Sequence, residues 1–366
     1  MKKILLLGAG GNAGQNFTKC IHESDEYEVI GCDIDPYKLE TARTPIKYLI
    51  DPVKKDEMLA QIIARHDIKM IHAQPDAEVK WLILQKLYGR IPQTLMWDYS
   101  HQKWDEYANK SLTSRIFSER LNLKAKSYTL RQCAENEELF YRMQQGAGKV
   151  WIRAKTGAGS RAALPVKDIK HAISWANYWE TEKGVKFDDF MASEYLPGPE
   201  YAVQFLFIHG QLIHSFARER VVSFFANVMP SGQSSTPFVQ RTTQRGDVYD
   251  RAEQAIRLFE DKPHGVYGVD LKTSYRDELV PTEINYGRFF STSSFPASLG
   301  INTPLAYVDF FTKGSIDYSI RDPRDEVYYE FRGLDQLPIV RTQSEIQTFA
   351  NISRNKTTDY LEWIGI

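Results

Sequence analysis

The sequence predicts a mixed α/β and α+β chain with more than one domain. Its 366 residues exceed the usual size of a single hydrophobic core, and 42% of them are hydrophobic, enough for several packed domains. Apolar strands alternate with helical patterns up to about residue 105, which is typical of a parallel sheet covered on both faces. Later in the chain, strand patterns are joined by short turns at residues 209–210 and 274–277, which favours antiparallel hairpins.

The first domain is predicted to be Rossmann-like. Each apolar strand runs into a polar or glycine-containing turn, and helical patterns follow. The predicted elements are a strand at 2–9, a helix from residue 15, a strand at 27–32, an amphipathic helix bearing Met58, Leu59, Ile62 and Ile63, a strand at 68–72 and a helix from residue 76.

The turn after the first strand, residues 8–14, is rich in glycine. Glycines let a backbone approach a pyrophosphate at a helix N-terminus, and Asp33 stands where a ribose-binding acid would lie. An NAD(P)-dependent oxidoreductase is therefore one hypothesis. The spacing departs from the dinucleotide pattern, since Ala13 replaces the third glycine and Gly14 follows it. The alternative is that these glycines only turn a strand tightly into a helix.

Composition excludes several classes of protein. The net charge is −1 with both signs scattered along the chain, which argues against a nucleic-acid binder and a polybasic membrane-surface protein. The apolar run after Met1 is too short for a signal peptide, and we expect no membrane span. The three cysteines lack CxxC spacing and fit a reducing cytoplasm. The histidines form no zinc pattern.

A cationic strand is predicted at 149–155. Alternation places Arg153 and Lys155 on one face, and a donor-rich loop with Gly157, Gly159 and Ser160 follows. Two cations on a strand that runs into a glycine loop with free backbone N–H groups suit a polyphosphate, although the P-loop pattern is absent. The alternative is an ordinary hairpin with solvated cations. Before this strand we predict a helix at 109–121, a short strand at 128–130 and an acidic helix at 135–143.

The next region reads as a sheet followed by a loop. The segment 190–196 leads through residues 197–199 to a strand predicted at 201–207, and we also predict a strand at 211–218 and a helix at 249–259. Residues 221–239 contain Pro, Ser and Gly and are predicted to form a long mobile loop, which in a compact domain is often a lid.

Two later strands form an acidic hairpin. If it turns about residues 276 and 277, Asp270 lies opposite Glu283, and Asn285 shares the face of Glu283. Facing carboxylates repel each other unless a cation lies between them. These oxygen donors suit Mg²⁺ with phosphate, and Arg288 adds a positive charge of the kind that holds a phosphoryl group. The alternative is an exposed hairpin whose acids face water.

The order of these motifs resembles that of the ATP-grasp superfamily, especially its carboxylate–amine ligases and the large subunit of carbamoyl-phosphate synthase. The resemblance covers nearly the whole chain, and each motif alone is weak. It implies a Rossmann-like pre-ATP-grasp domain at 1–105, followed by a two-subdomain ATP-grasp fold. The small subdomain with its linker would span 106–190, the large subdomain 191–325, and a C-terminal extension 326–366.

The resemblance also implies roles for individual residues. Lys110, Arg153 and Lys155 match phosphate-contacting cations, and Gly157, Gly159 and Ser160 match the flap over the phosphates. Glu194, Tyr195 and Leu196 match the adenine hinge, and Glu200 the acid that binds the ribose. Asp270, Glu283 and Asn285 match the magnesium ligands, and Arg218, Arg220 and Arg288 match cations for the γ-phosphate or the substrate carboxylate.

Two positions depart from the family pattern. One extra residue precedes Arg288, which puts its reach in doubt, and Ala154 replaces a proline that usually follows the cationic position. The implied function is an ATP- and Mg²⁺-dependent ligase, with Mn²⁺ as a substitute metal. It would activate a small-molecule carboxylate as an acylphosphate for attack by an amine, in the cytoplasm and with no nucleic-acid or membrane partner. The resemblance is compatible with a homodimer.

Three rivals remain at this point. The first is an enzyme like carbamoyl-phosphate synthase that phosphorylates a small carboxylate such as bicarbonate. The second is the NAD(P)-dependent oxidoreductase, which leaves the acidic hairpin unexplained. The third is a nucleotide-binding interaction protein that has lost catalysis, against which the retained acids and cations argue.

Overall fold

The computed structural model describes residues 1–88, 91–157, 162–234, 236–316, 326–334 and 337–347. Its helices are α1 (Asn12–Ile21), α2 (Pro36–Thr41), α3 (Lys55–His66), α4 (Asp76–Leu87), α5 (His101–Ala108), α6 (Lys110–Arg120), α7 (Leu130–Glu135), α8 (Glu137–Gln144), α9 (Ile169–Lys183), α10 (Gly246–Arg257), α11 (Ser294–Ser298) and α12 (Thr303–Lys313). Short 3₁₀ helices lie at Gln93–Leu95, Phe187–Asp189 and Ala226–Val228.

The strands form three sheets. They are β1 (Lys2–Leu7), β2 (Tyr27–Asp33), β3 (Ile46–Leu49), β4 (Ile68–Ala73), β5 (Ser127–Thr129), β6 (Val150–Ala154), β7 (Leu164–Val166), β8 (Phe190–Glu194), β9 (Glu200–Ile208), β10 (Gln211–Ser223), β11 (Pro237–Thr242), β12 (Gly265–Thr273), β13 (Leu279–Tyr286), β14 (Tyr328–Phe331) and β15 (Ile339–Thr342).

The N-terminal sheet is parallel, with strand order β3-β2-β1-β4. Its central strand β1 is buried from Ile4 onward, as expected for a strand with helices on both faces. The pairing of Leu5 with Ile30 on one side and Ile71 on the other continues this apolar layer. The parallel pairing was predicted from the sequence, whereas β3 and α2 were not.

The central sheet is antiparallel, with strand order β13-β12-β9-β10-β11-β14-β15. Residues alternate along β9: Tyr201, Val203 and Phe205 pack into a core with α5, α6 and α10. Glu200 and Gln204 therefore lie on the opposite face. This second face carries the charged side chains of the candidate site.

The smaller antiparallel sheet has strand order β5-β8-β6-β7 and packs against α7, α8 and α9. Near the hairpin turn, this sheet and the loop between α8 and β6 contact the hairpin of β12 and β13. Arg276 at the hairpin turn donates to Glu194 Oε1 at 2.7 Å, and Tyr275 lies so close to Gly146 that no side chain would fit there. The cleft between the two sheets is therefore closed at the hairpin turn.

Two segments differ from the sequence prediction. β10 continues to Ser223 and β11 begins at Pro237, so the loop predicted across 221–239 is shorter than expected. Val221 and Val222 are β-branched and continue the strand. In the C-terminal region, β14 and β15 extend the central sheet.

The helices of the described part include none that is both long and apolar enough to cross a membrane. All three cysteines are buried with free thiols.

Candidate functional site

The hairpin of β12 and β13 brings two carboxylates face to face. Asp270 pairs with Glu283 in the register, as the sequence predicted, and a bulge follows Asp270. The turn is closed by a hydrogen bond from Ser274 N to Glu278 O at 2.9 Å. The predicted acidic pair is thus present on the polar face of the central sheet.

Arg220 on β10 reaches across β9 to these acids. Its Nη2 donates to Asp270 Oδ1 at 2.9 Å, and its Nη1 donates to Glu200 Oε1. Ala202 lies in register between β10 and Asp270, and its methyl group leaves room for the guanidinium to cross. Lys272 adds a second cation, with Nζ 3.7 Å from Glu200 Oε2.

Burial and nearby charges shift the pKa values of Asp270 and Glu200 in opposite directions. Burial raises the pKa of Asp270, and Glu283 and Glu200 raise it further against the lowering effect of Arg220. Burial also acts to raise the pKa of Glu200, but Arg220 and Lys272 together bring it below its ordinary value. Of these two carboxylates, Asp270 is therefore the one whose charged form burial disfavours more.

Asn285 and Arg288 join the same cluster. The Asn285 amide nitrogen lies 3.4 Å from Asp270 Oδ2, and its oxygen accepts from Arg288 Nη2. Arg288 also forms an ion pair with Asp76, which the sequence analysis missed. Asp76 is the first residue of the helix after β4, and its position at a strand end was the available signal. The extra residue before Arg288 therefore does not keep it from the cluster.

Lys110, at the start of α6, and Arg153, on β6 of the small sheet, approach the same hairpin. Lys110 Nζ is 3.5 Å from Glu283 Oε1 and donates to Gly157 O at 2.6 Å. Arg153 Nη2 donates to Thr282 O at 3.3 Å. Burial lowers the pKa of Arg153, and Glu283 partly offsets that effect. These two predicted cations thus lie beside the acidic hairpin.

Lys155 is not brought into the cluster. β6 ends at Ala154, and the Lys155 Nζ donates to the carbonyl of Asp188. Gly157 adopts φ +101 with open space where a side chain would be. The predicted flap residues Gly159 and Ser160 lie outside the described residues.

The predicted hinge follows β8. The Glu194 carboxylate accepts from Arg276, so it joins the small sheet to the hairpin; burial raises its pKa, and Arg276 partly offsets the rise. Tyr195 lies under Lys149 Nζ, 4.2 Å from its ring centroid, and near Trp151. Leu196 next to it is partly buried. Trp151 was missed as a site residue although alternation put it on the face of Arg153.

Arg218 is more deeply buried than its predicted role suggested. It is 1% exposed, donates to Gln240 Oε1, and lies 4.5 Å from the Phe290 ring centroid. Gln240 in turn donates to Glu330 on β14, within the segment implied to be a C-terminal extension. Burial lowers the pKa of Arg218, as does the nearby Arg220.

The donor set fits a divalent cation that shares its coordination with phosphate. Asp270, Glu283 and Asn285 supply oxygen atoms of the kind Mg²⁺ prefers. No group of three or more His, Cys, Asp or Glu side chains suited to a metal occurs in the described ranges. In the same ranges the buried Nε atoms of Arg153, Arg218 and Arg220 have no hydrogen-bond partner. The site therefore has unused donors suited to an anion beside its metal-type acceptors.

The N-terminal glycine turn is closed by the chain itself. A Cβ at Gly10 would lie 1.9 Å from Lys38 O, and one at Gly14 2.3 Å from Gly8 O. Asp33 accepts from Gly10 N and Asp35 N, each at 3.1 Å. These glycines and this acid serve internal packing, so the turn does not favour the dinucleotide hypothesis.

Comparisons with known proteins bear on the fold of the chain. No protein-family model matches the chain, and no curated protein matches its sequence. An L-amino acid ligase from Bacillus licheniformis has 13% identity and a TM-score of 0.62, over 90% of this chain and 79% of that one. The chain has the ATP-grasp fold. The mixed α/β architecture and the ATP-grasp fold that the resemblance implied are thus confirmed.

Two further ATP-grasp structures are similar over most of their length. The biotin carboxylase domain dimer of the 2-oxoglutarate carboxylase from Hydrogenobacter thermophilus, in complex with MgADP, ADP and bicarbonate, has 13% identity and a TM-score of 0.65 over 91% of this chain and 74% of that one. The N5-carboxyaminoimidazole synthetase from Staphylococcus aureus, complexed with ADP, has 12% identity and a TM-score of 0.63 over 91% and 82%. At these identities the likeness is one of fold.

Proposed function

We propose that this chain is an ATP-dependent ligase that activates a carboxylate as an acylphosphate and joins it to an amine. The observation that carries the proposal is the pairing of Asp270 with Glu283, with Asn285 beside them, on the sheet face that Arg220 and Lys110 reach. The ATP-grasp fold supports it, because similar ligase structures contain adenine nucleotides.

The proposed chemistry assigns the acids and cations different tasks. Asp270, Glu283 and Asn285 would hold Mg²⁺, or Mn²⁺ in its place, and the metal would neutralise charge on the ATP phosphates. Lys110 and Arg153 would hold phosphate oxygens from the side of the small sheet. Their burial and short reach to the hairpin support this role, since positioned charge is most of what phosphoryl transfer needs.

The other predicted contacts are proposed in turn. Glu194, Tyr195 and Leu196 would bind the adenine, and Glu200 the ribose. Arg220 would bind the γ-phosphate or the substrate carboxylate. Arg218 and Arg288 are proposed to position neighbouring groups, because the first is buried against Gln240 and the second is paired with Asp76. Lys155 and the 157–160 flap would close over the phosphates.

The domain limits are also proposals. Residues 1–105 would be the Rossmann-like pre-ATP-grasp domain, 106–190 the linker and small subdomain, 191–325 the large subdomain, and 326–366 a C-terminal extension. The parallel sheet of β1 to β4 supports the first of these. A cytoplasmic homodimer is proposed as the working state, and one of the similar structures is a dimer.

A two-stage binding and activity assay tests the function. Mg·ADP should raise the melting temperature of the protein, since a ligand stabilises only the folded form that binds it. Release of phosphate from ATP should then require both an acid and an amine from a panel of amino acids. Glu253→Gln on the surface of α10 is the control and should behave as the wild type.

Bicarbonate as a substrate distinguishes the ligase from the main alternative. One similar structure was solved with this anion, which supports phosphorylation of a small carboxylate as the second candidate. Phosphate release with bicarbonate and without an organic acid would favour that candidate. If no acid or amine, bicarbonate included, yields phosphate, the ligase proposal is wrong.

A further inference from the structure

Every proposed metal ligand is held by a cation of the chain. Asp270 accepts from Arg220, Glu283 is paired with Lys110, and the Asn285 oxygen accepts from Arg288. Two carboxylates that face each other on adjacent strands repel without such partners. The chain therefore contains its own counter-ions for the site.

Of these three cations, Arg220 has the strongest contacts with carboxylates of the site. Its guanidinium donates to Asp270 and to Glu200 at once, and its side chain is 11% exposed. Lys110 is 3.5 Å from Glu283 and also bonded to a carbonyl, and Arg288 contacts a neutral amide. Arg220 is thus the cation that a metal on Asp270 would have to displace.

Displacement by a metal alone is unfavourable. A metal that takes Asp270 Oδ1 leaves Arg220 Nη2 without its acceptor in a largely buried place, and an unsatisfied buried donor is costly even though Nη1 stays bonded to Glu200. A polyphosphate removes that cost, because its oxygens accept from the planar fork of a guanidinium. The Nε of Arg220, buried and without a partner among the described residues, is a further donor for it.

We propose that Arg220 is the internal counter-ion of the metal site and couples metal binding to nucleotide binding. It holds Asp270 until a nucleotide provides phosphate oxygens, and its transfer to them releases Asp270 for the metal. The inference rests on the proposed function, since it takes the nucleotide site as given. It predicts that the metal binds weakly alone and that the nucleotide raises its affinity reciprocally.

The test measures Mn²⁺ binding without nucleotide by electron paramagnetic resonance. Arg220→Lys keeps the charge but cannot donate from two nitrogens in one plane. We expect it to bind Mn²⁺ about tenfold more tightly than the wild type, the effect of one charge-assisted hydrogen bond. The increase in Mn²⁺ affinity caused by ADP should shrink by the same factor.

Lys272→Met is the matched control. It removes a neighbouring cation that contacts Glu200, and no contact joins Lys272 to Asp270 among the described residues. We expect its Mn²⁺ affinity without nucleotide to stay within about threefold of the wild type, the range of a solvent-screened charge effect. Arg220→Met is the second variant and should equal or exceed Arg220→Lys if the lysine variant folds poorly.

Two failures are distinguishable. If the wild type binds Mn·ADP but the Arg220 variants bind Mn²⁺ alone no more tightly than the wild type, the counter-ion role is wrong and the proposed function stands. The counter-ion role is also wrong if Lys272→Met gives an equal increase, because a general field effect then explains it. If the wild type binds neither Mn²⁺ nor Mg·ADP, the proposed function fails and this inference with it.

Discussion

The glycine turn at residues 8–14 and the hairpin of β12 and β13 both carry patterns typical of nucleotide sites, and they differ in what satisfies them. At the turn, the Lys38 backbone covers Gly10, and each oxygen of Asp33 accepts a hydrogen bond from a backbone N–H group. At the hairpin, Asp270 and Glu283 face each other and depend on cations from distant elements. Internal backbone contacts complete the first site, whereas the second remains complementary to a charged ligand.

This contrast indicates which patterns predict binding. A glycine turn can be required by tight packing of the chain on itself, so its spacing is ambiguous. Facing carboxylates have no such internal use, because backbone pairing does not offset their repulsion. Variants in each region can therefore separate a packing role from a binding role.

The largest effect is expected at Gly10. Gly10→Ala places a methyl group 1.9 Å from Lys38 O, and because that atom belongs to the backbone we expect a loss of at least about 3 kcal/mol in the free energy of unfolding. Gly11→Ala is the control: its Cβ would lie 3.7 Å from the nearest atom, and we expect a change below about 1 kcal/mol. Urea unfolding measures both, and equal losses would contradict the packing role.

At the hairpin, binding should change more than stability. Glu283→Gln removes a proposed metal ligand, and we expect Mg²⁺-dependent ADP affinity to fall about hundredfold. Loss of a group that only supports a metal ligand lowers metal affinity by up to about that factor, so the loss of a ligand itself should reach it. Asp277→Asn removes an equal charge at the turn, where φ is 60° and asparagine is tolerated. Calorimetric titration compares the two, and a similar loss in both would assign the effect to net charge.

Local pairing explains what could be predicted from the sequence. Asp270 and Glu283 lie in one hairpin, so their register follows from the turn, and the parallel pairing of β1 follows from alternating strands and helices. Gly10 shows the limit, since its pattern was visible but the Lys38 carbonyl against it was not.

Partners from distant elements could not be predicted. Arg220 bridges Glu200 and Asp270 only because β9 lies between β10 and β12 in the sheet. Arg288 meets Asp76 across two sheets, and Glu330 reaches the Gln240 side chain from a C-terminal strand. Alternation alone also could not reveal that Lys155, one residue past the end of β6, donates to the Asp188 carbonyl.

A smaller effect tests the packing of the N-terminal sheet through pH. His72 stacks on Phe17 with ring centroids 4.6 Å apart, and burial lowers its pKa to about 3. Below about pH 6.5, His72 binds a proton in the unfolded chain but stays neutral in the folded chain. The free energy of unfolding therefore falls as the pH drops. Between pH 7 and 5 we expect the wild type to lose about 2 kcal/mol more than His72→Gln in urea unfolding. If the wild type and His72→Gln lose the same stability over this pH range, the protonation of His72 does not destabilise the folded protein.

The smallest expected change in stability compares one carboxylate from each region. Asp33→Asn leaves a single oxygen for two backbone donors, Gly10 N and Asp35 N, so we expect a loss of about 1 to 2 kcal/mol in stability and no change in ADP affinity. Asp270→Asn should change stability by less than about 1 kcal/mol, because burial already disfavours its charge and the amide oxygen can accept from Arg220. It should nevertheless remove Mg²⁺-dependent ADP binding. Thermal melts with and without Mg·ADP measure both properties, and a loss of ligand stabilisation in Asp33→Asn would return the glycine turn to the candidate sites.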